Sequence, residues 1–254
     1  MLACSAIERG IVVAWLLITF VLLLVSTRWI TKHIQGIGYL VTRDGQIAMT
    51  IYLLLTLPGV LLHEVSHALV AWLLRVRVRR FSIGVRRKRG NQVTLGSVEI
   101  SRTDPLRASL IGLAPLMSGC IVILLISSRA LGVDRVHSFS PETFWRELPG
   151  MYGAADFWLW AYFVFAIGNA MFPSAADRHA WWMALLFIAF VGAVLYLAGL
   201  SDELVQTFGG WTQRAINYLS YAFAVTLVID IVFGVILFLI EQCLGLLGFG
   251  RVRY

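Results

Sequence analysis

His63-Glu64-Val65-Ser66-His67 sets two imidazoles four residues apart, with a carboxylate directly after the first. On an α-helix such a pair shares one face, one ring a turn above the other. Both rings can then ligate one zinc ion, and Glu64, one step round the helix, can reach water at that ion. Zinc lowers the pKa of bound water towards neutrality, and a carboxylate that takes its proton readies it to attack a carbonyl. The motif therefore predicts metal-assisted hydrolysis. Its rival is a purely structural His-Glu-His cluster. Position weighs against the rival, because the motif sits in a long apolar run. An ionised group at mid-span costs at least ~2.5–3.5 kcal/mol on insertion scales, so a carboxylate flanked by two imidazoles needs a compensating role.

A catalytic zinc usually takes three protein ligands and keeps one position for water. His33 and His137 fall in loops expected on the side of the membrane away from the motif's inner end. Asp177 is the expected third ligand. It follows Gly168-Asn169-Ala170-Met171-Phe172-Pro173-Ser174, where Gly, Asn, Pro and Ser interrupt an apolar run and predict unwound backbone. At membrane depth such backbone is tolerated only where protein buries it or it lines a cavity. His179 is the competing ligand, and an interfacial turn beside Arg178 is the structural alternative for Asp177.

These side chains need a scaffold, and composition says which kind. The 254 residues are 59% hydrophobic and only 14% charged, with 15 Phe and 9 Trp. A soluble domain carries about a quarter charged residues, so the surplus apolar surface must face lipid. Disorder, collagen-like repeats and a disulfide scaffold are excluded on the same figures. Cys4, Cys120 and Cys243 are too far apart for a metal-ligand spacing. At about 20 apolar residues per crossing, six transmembrane helices are expected, at about 11–31, 47–74, 106–131, 155–177, 180–200 and 219–247. The first lacks a small-x-small cleavage site and reads as a retained anchor. The expected fold class is an all-α polytopic membrane protein with a small membrane-associated β-hairpin. It divides into an N-terminal anchor and outer loop (1–46), a core carrying the His-Glu-x-x-His span, the basic hairpin and the Asn/Asp span (47–200), and a C-terminal transmembrane helix (201–254).

The hairpin is read from Arg75 to Arg107, a stretch holding ten Lys or Arg. Residues 75–79 alternate basic and apolar, and Phe81, Ile83 and Val85 continue the apolar face; Val93–Leu95 and Val98–Ile100 supply a partner strand beyond Arg89-Gly90-Asn91. A cytoplasmic basic loop satisfies the positive-inside rule. Alternation of six spans then puts both termini in the cytoplasm, with 14 Lys/Arg inside and 7 outside. The formal net charge of +7 is therefore assigned to membrane topology and anionic lipid, and nucleic acid is not an expected partner.

Taken together, these residues resemble the site-2 protease family of intramembrane zinc metalloproteases, over about residues 47–200. The resemblance rests on His63-Glu64-Val65-Ser66-His67, on Asn169 standing eight residues before Asp177, and on Ala114-Pro115-Leu116-Met117-Ser118 in the middle core helix. Pro173 is displaced by one place from the family pattern, and Ala176 and Arg178 stand where it has Leu and Gly. The resemblance implies a three-helix core, Zn2+ held by His63, His67 and Asp177, and Glu64 as general base and acid. It also implies that Asn169 holds the substrate backbone and that the hairpin at 76–100 offers an edge strand to an unwound substrate. The implied substrate is a transmembrane segment of another protein, cut in the cell membrane. One geometric demand follows. His63 lies about 11 residues before the inner end of its span, or ~16 Å deep at 1.5 Å per residue, and Asp177 lies nearer the surface on straight helices. Residues 168–176 must unwind, or the second span must bend, with Pro58-Gly59 and Pro173 as the places. The alternative function is a catalytically silent membrane protein that binds metal or peptide. Asp230, alone in the apolar run Val228–Val232, is expected either to be protonated or to pair with a polar group facing the bundle interior.

Overall fold

The computed structural model describes residues 2–87, 93–132, 139–172 and 201–249, together with 174, 177, 186, 189, 190, 193, 194 and 197. Its elements are α1 (Leu2–Thr42), α2 (Gly45–Leu73), β1 (Val78–Arg87), β2 (Val93–Ile100), α3 (Pro105–Arg129), α4 (Pro141–Tyr152), α5 (Phe157–Ala170) and α6 (Ser201–Leu246). Their boundaries follow local chemistry. The Asp44 carboxylate accepts from the amides of Gln46 and Ile47 and starts α2. At its other end, Val76 N–H donates to the Ala71 carbonyl and Arg75 N–H to that of Trp72, while Arg75 sits at φ 57°. This is a Schellman turn, which closes the helix and sends the chain into the hairpin. A Ser140–Thr143 capping box with Pro141 in the first turn starts α4.

Asp104 caps α3, accepting from Arg107 N–H at 2.9 Å. That bond holds the exposed carboxyl below its ordinary value. A lowered value in the folded state means the cap is complete above the ordinary carboxylate range and is lost as pH falls through the lowered one. Asp104→Ala removes the cap at every pH. Faster amide exchange over Leu106–Ala108 is the expected result.

Four of the described helical segments, Gly10–Thr42, Gly45–Leu73, Pro105–Arg129 and Gly209–Leu246, are long and apolar enough to cross a membrane. The protein is therefore helical and membrane-like, with one small two-stranded sheet, and four such helices stand among the described residues where six were expected. The segment expected to cross at 155–177 is instead α5, 14 residues long, or about 21 Å at 1.5 Å per residue. Met171 and Phe172 beyond it are not helical. Most of 180–200 lies outside the described residues, although Leu186, Phe190, Val194 and Leu197 are helical.

One buried apolar cluster runs through the six helices named above, joining Leu23, Tyr52, Ile123, Phe144, Val164 and Val225 among others. α1 pairs with α6 along its length: Phe20 meets Phe223, Ser26 meets Asp230, and His33 meets Glu241. Partner numbers rise together, so the two helices are parallel. The Leu2 end of α1 and the Leu246 end of α6 therefore point towards opposite ends of this helix pair.

α5 is pressed against both α2 and α6 at glycines. A Cβ on Gly59 of α2 would strike the Ala166 carbonyl of α5 and lie 2.8 Å from Ala170 Cβ, and one on Gly168 of α5 would strike Thr226 of α6. Backbone cannot rotate aside as a side chain can. Gly59→Ala should therefore cost about 1–3 kcal/mol, read as a lower unfolding midpoint in detergent. The hairpin is antiparallel, pairing Val78 with Ile100 and Ile83 with Gly96, with irregularities between Val78 and Arg80 and between Ile83 and Arg86. A small apolar cluster of Ala71, Val76 and Ile111, with Val78 and Ile100 against it, ties its base to α2 and α3.

Candidate metal centre

α2 is one continuous helix through Pro58, so His63 and His67 do share a face, with ring centroids 4.8 Å apart. Each ring is aimed by a carbonyl from a different helix. His63 Nδ1 bonds Ala170 O at 2.7 Å, on the last residue of α5, and His67 Nδ1 bonds Ile111 O at 2.8 Å, on α3. A carbonyl oxygen only accepts, so both Nδ1 atoms carry the proton in the neutral rings. Both Nε2 atoms then present lone pairs, and they face each other at 3.2 Å. Two lone pairs at that distance repel unless a cation or a proton lies between them.

Asp177 completes the group. Its Oδ1 lies 3.4 Å from His67 Nε2 and its Oδ2 3.9 Å from His63 Nε2. The carboxylate is itself held by Ser174, whose amide donates to Oδ2 at 2.8 Å and whose hydroxyl donates to the same atom. Among the described residues His63, His67 and Asp177 form a group whose ligand atoms all lie within 4.8 Å of one another. The donor set fits zinc. Bonds of 2.0–2.1 Å to nitrogen and oxygen in tetrahedral array place neighbouring ligand atoms roughly 3.3 Å apart. The observed separations of 3.2 and 3.4 Å are close to that edge, and the third is longer. A metal ligated by His also has the ring's other nitrogen donating to an outer partner, which both histidines satisfy.

α2 runs through Pro58 and Gly59 without interruption, and α5 ends at Ala170, seven residues before Asp177. Gly168 and Asn169 remain helical, and the described residues Met171, Phe172 and Ser174 are not. Pro173, the other expected place for a break, lies outside the described residues.

Glu64 is 7% exposed and packs against the hairpin. A Cβ on Gly96 of β2 would lie 2.7 Å from Glu64 Cγ. Glycine at this place is what lets the sheet close over the carboxylate. Gly96→Val should therefore displace Glu64, since the three atoms nearest a Cβ at this place all belong to it. A misplacement of about 1 Å is enough to cost on the order of 100-fold in a reaction that a positioned carboxylate assists; an unmoved Glu64 in the structure of that variant would show the contact to be idle.

Asn169 lies in the core. It is 6% exposed, and its Nδ2 donates to Phe165 O at 2.9 Å and to Asp230 Oδ1 at 2.8 Å. His33 is in α1, not in a loop, stacked on Trp29 at 3.7 Å and bonded through Nδ1 to Trp29 O. It is no part of this centre. His137 and His179 lie outside the described residues. The supporting groups that sequence reasoning missed are Ser174, Gly96 and the carbonyls of Ile111 and Ala170. Only Ser174 carried a signal, a Ser three residues before an Asp. No family model, curated protein or solved structure matches this chain.

Proposed function

We propose that the protein is an intramembrane zinc endopeptidase that hydrolyses a peptide bond in or near a transmembrane segment of another protein. The observation that carries the reading is the meeting of two imidazole lone pairs at 3.2 Å with a carboxylate beside them, an arrangement that a divalent cation relieves. His63, His67 and Asp177 would hold the ion. Zinc so held supplies a Lewis acid that polarises a carbonyl and makes water acidic near neutral pH. Glu64, next in the chain to His63 and shielded by the hairpin, accepts the proton of the attacking water and returns it to the leaving amine. The site must admit water while the surrounding bundle excludes lipid, and the short α5 with the non-helical Met171 and Phe172 after it is the kind of irregular backbone that lines a cavity at membrane depth.

A substrate helix hides its amides in its own hydrogen bonds, so the scissile stretch must be drawn out and held extended. A β edge beside Glu64 suits that task, because main-chain pairing stabilises an extended segment. The reading places the protein in the cell membrane with the basic hairpin on the cytoplasmic side, where Lys and Arg favour retention. The partners are a membrane-spanning protein and the bilayer, with no nucleic acid.

The test is metal analysis of the full chain purified in detergent, followed by cleavage of a transmembrane substrate in vesicles. About one equivalent of zinc and chelator-sensitive cleavage are expected. Zinc without cleavage of any membrane substrate would favour a silent metal-binding protein, and absence of zinc at neutral pH overturns the reading.

A further inference from the structure

Asp230 is 2% exposed in the middle of α6, and nothing in the proposed chemistry uses it. A carboxyl group at that depth is expensive unless it has a role. Its two oxygens take separate donors from separate helices: Ser26 Oγ of α1 to Oδ2 at 2.8 Å, and Asn169 Nδ2 of α5 to Oδ1 at 2.8 Å. With Phe165 O accepting from the same Nδ2, two acceptors fix which end of the Asn169 amide carries hydrogen. Its other end, Oδ1, is buried without a hydrogen-bond partner among the described residues. Asn169 directly precedes Ala170, the last residue of α5, whose carbonyl bonds His63 Nδ1. Ser26, Asp230, Asn169, Ala170 and His63 thus form one connected path across α1, α6, α5 and α2.

We infer that Asp230 is a positioning residue for the metal centre, acting through Asn169 to hold the last turn of α5 and with it the carbonyl that aims His63. Shape alone does not supply that restraint. The contacts of Gly168 with Thr226 and of Gly59 with Ala166 and Ala170 set how closely α5 approaches α6 and α2, but they are van der Waals contacts without the directionality of a hydrogen bond. A directional bond from Asn169 to Asp230 fixes the rotation. The inference rests on the metal-centre reading above.

The test is a double-mutant cycle read as zinc affinity, by chelator competition on the full chain in detergent, so that it does not depend on cleavage. Asp230→Leu removes both acceptor oxygens and suits an apolar bundle, and zinc affinity should fall about tenfold, in the range seen when outer partners of metal ligands are lost. Asn169→Leu should lose the same factor, and the double variant no more than either alone. Asp230→Asn should stay close to the parent, because its amide can accept from Asn169 and donate to Ser26. Additive losses, an unchanged Asn169→Leu, or a loss in Asp230→Asn as large as in Asp230→Leu would each overturn the inference while leaving the metal centre intact. Asn169→Leu decides the same point even if Asp230→Leu fails to fold. A parent protein that binds no zinc overturns both readings together.

Discussion

Glu64→Gln should leave zinc content and helical fold unchanged while cleavage of a reconstituted membrane substrate falls by about 100- to 10,000-fold. Gln has the volume of Glu and keeps its packing against Gly96, so the hairpin has no reason to move. It is not among the three residues whose ligand atoms converge, so the ion should stay. What it cannot do is accept a proton from water. Zinc titration and cleavage on the same preparation separate these properties. Cleavage at the parent rate would remove Glu64 from the mechanism, and loss of zinc would make it a structural member of the centre.

Asp177→Ala should lower zinc affinity by more than the roughly 10- to 100-fold that an outer partner costs, because one of three ligand atoms is lost. His179→Ala should leave it unchanged. The contrast follows from the Asp177 carboxylate standing 3.4 Å from His67 Nε2 with its other oxygen tied to Ser174. Ser174→Ala should give the intermediate result, since it frees the carboxylate to rotate without removing it. The reverse ranking, with His179→Ala the more damaging, would transfer the third ligand to His179. Chelator competition on the three variants decides the matter.

The hairpin was legible because alternation of apolar and basic residues is a local signal of a strand with two different faces. Its observed strands, Val78–Arg87 and Val93–Ile100, begin three residues later than the alternation at Arg75. The reason is that Arg75 and Val76 are used to close α2. The count of spans was less legible. Hydropathy does not register where a backbone leaves the helix, so the run at 155–177 looked like one crossing although α5 ends at Ala170. α4 escaped for the opposite reason. Its polar Pro141–Tyr152 sequence has too little apolar length to stand out, yet Phe144 and Met151 are buried.

What the sequence determined by itself is the pair His63 and His67 and the carboxylate beside them. The helix repeat is a property of adjacent backbone, so a spacing of four residues already puts two rings on one face. The apolar environment was equally determined, since surplus hydrophobic surface has to leave water wherever the chain goes. The tertiary structure decided everything that depends on direction between distant segments. α1 and α6 run parallel, which no charge count can establish, because crossing number and helix pairing are settled by packing. Asp177 meets the histidines across 110 residues of chain, and Gly59 admits the preceding helix, α5, close to α2. The carbonyls that aim the two imidazoles come from Ile111 and Ala170. Any residue has a carbonyl, so position in space, not residue type, gives those two their role.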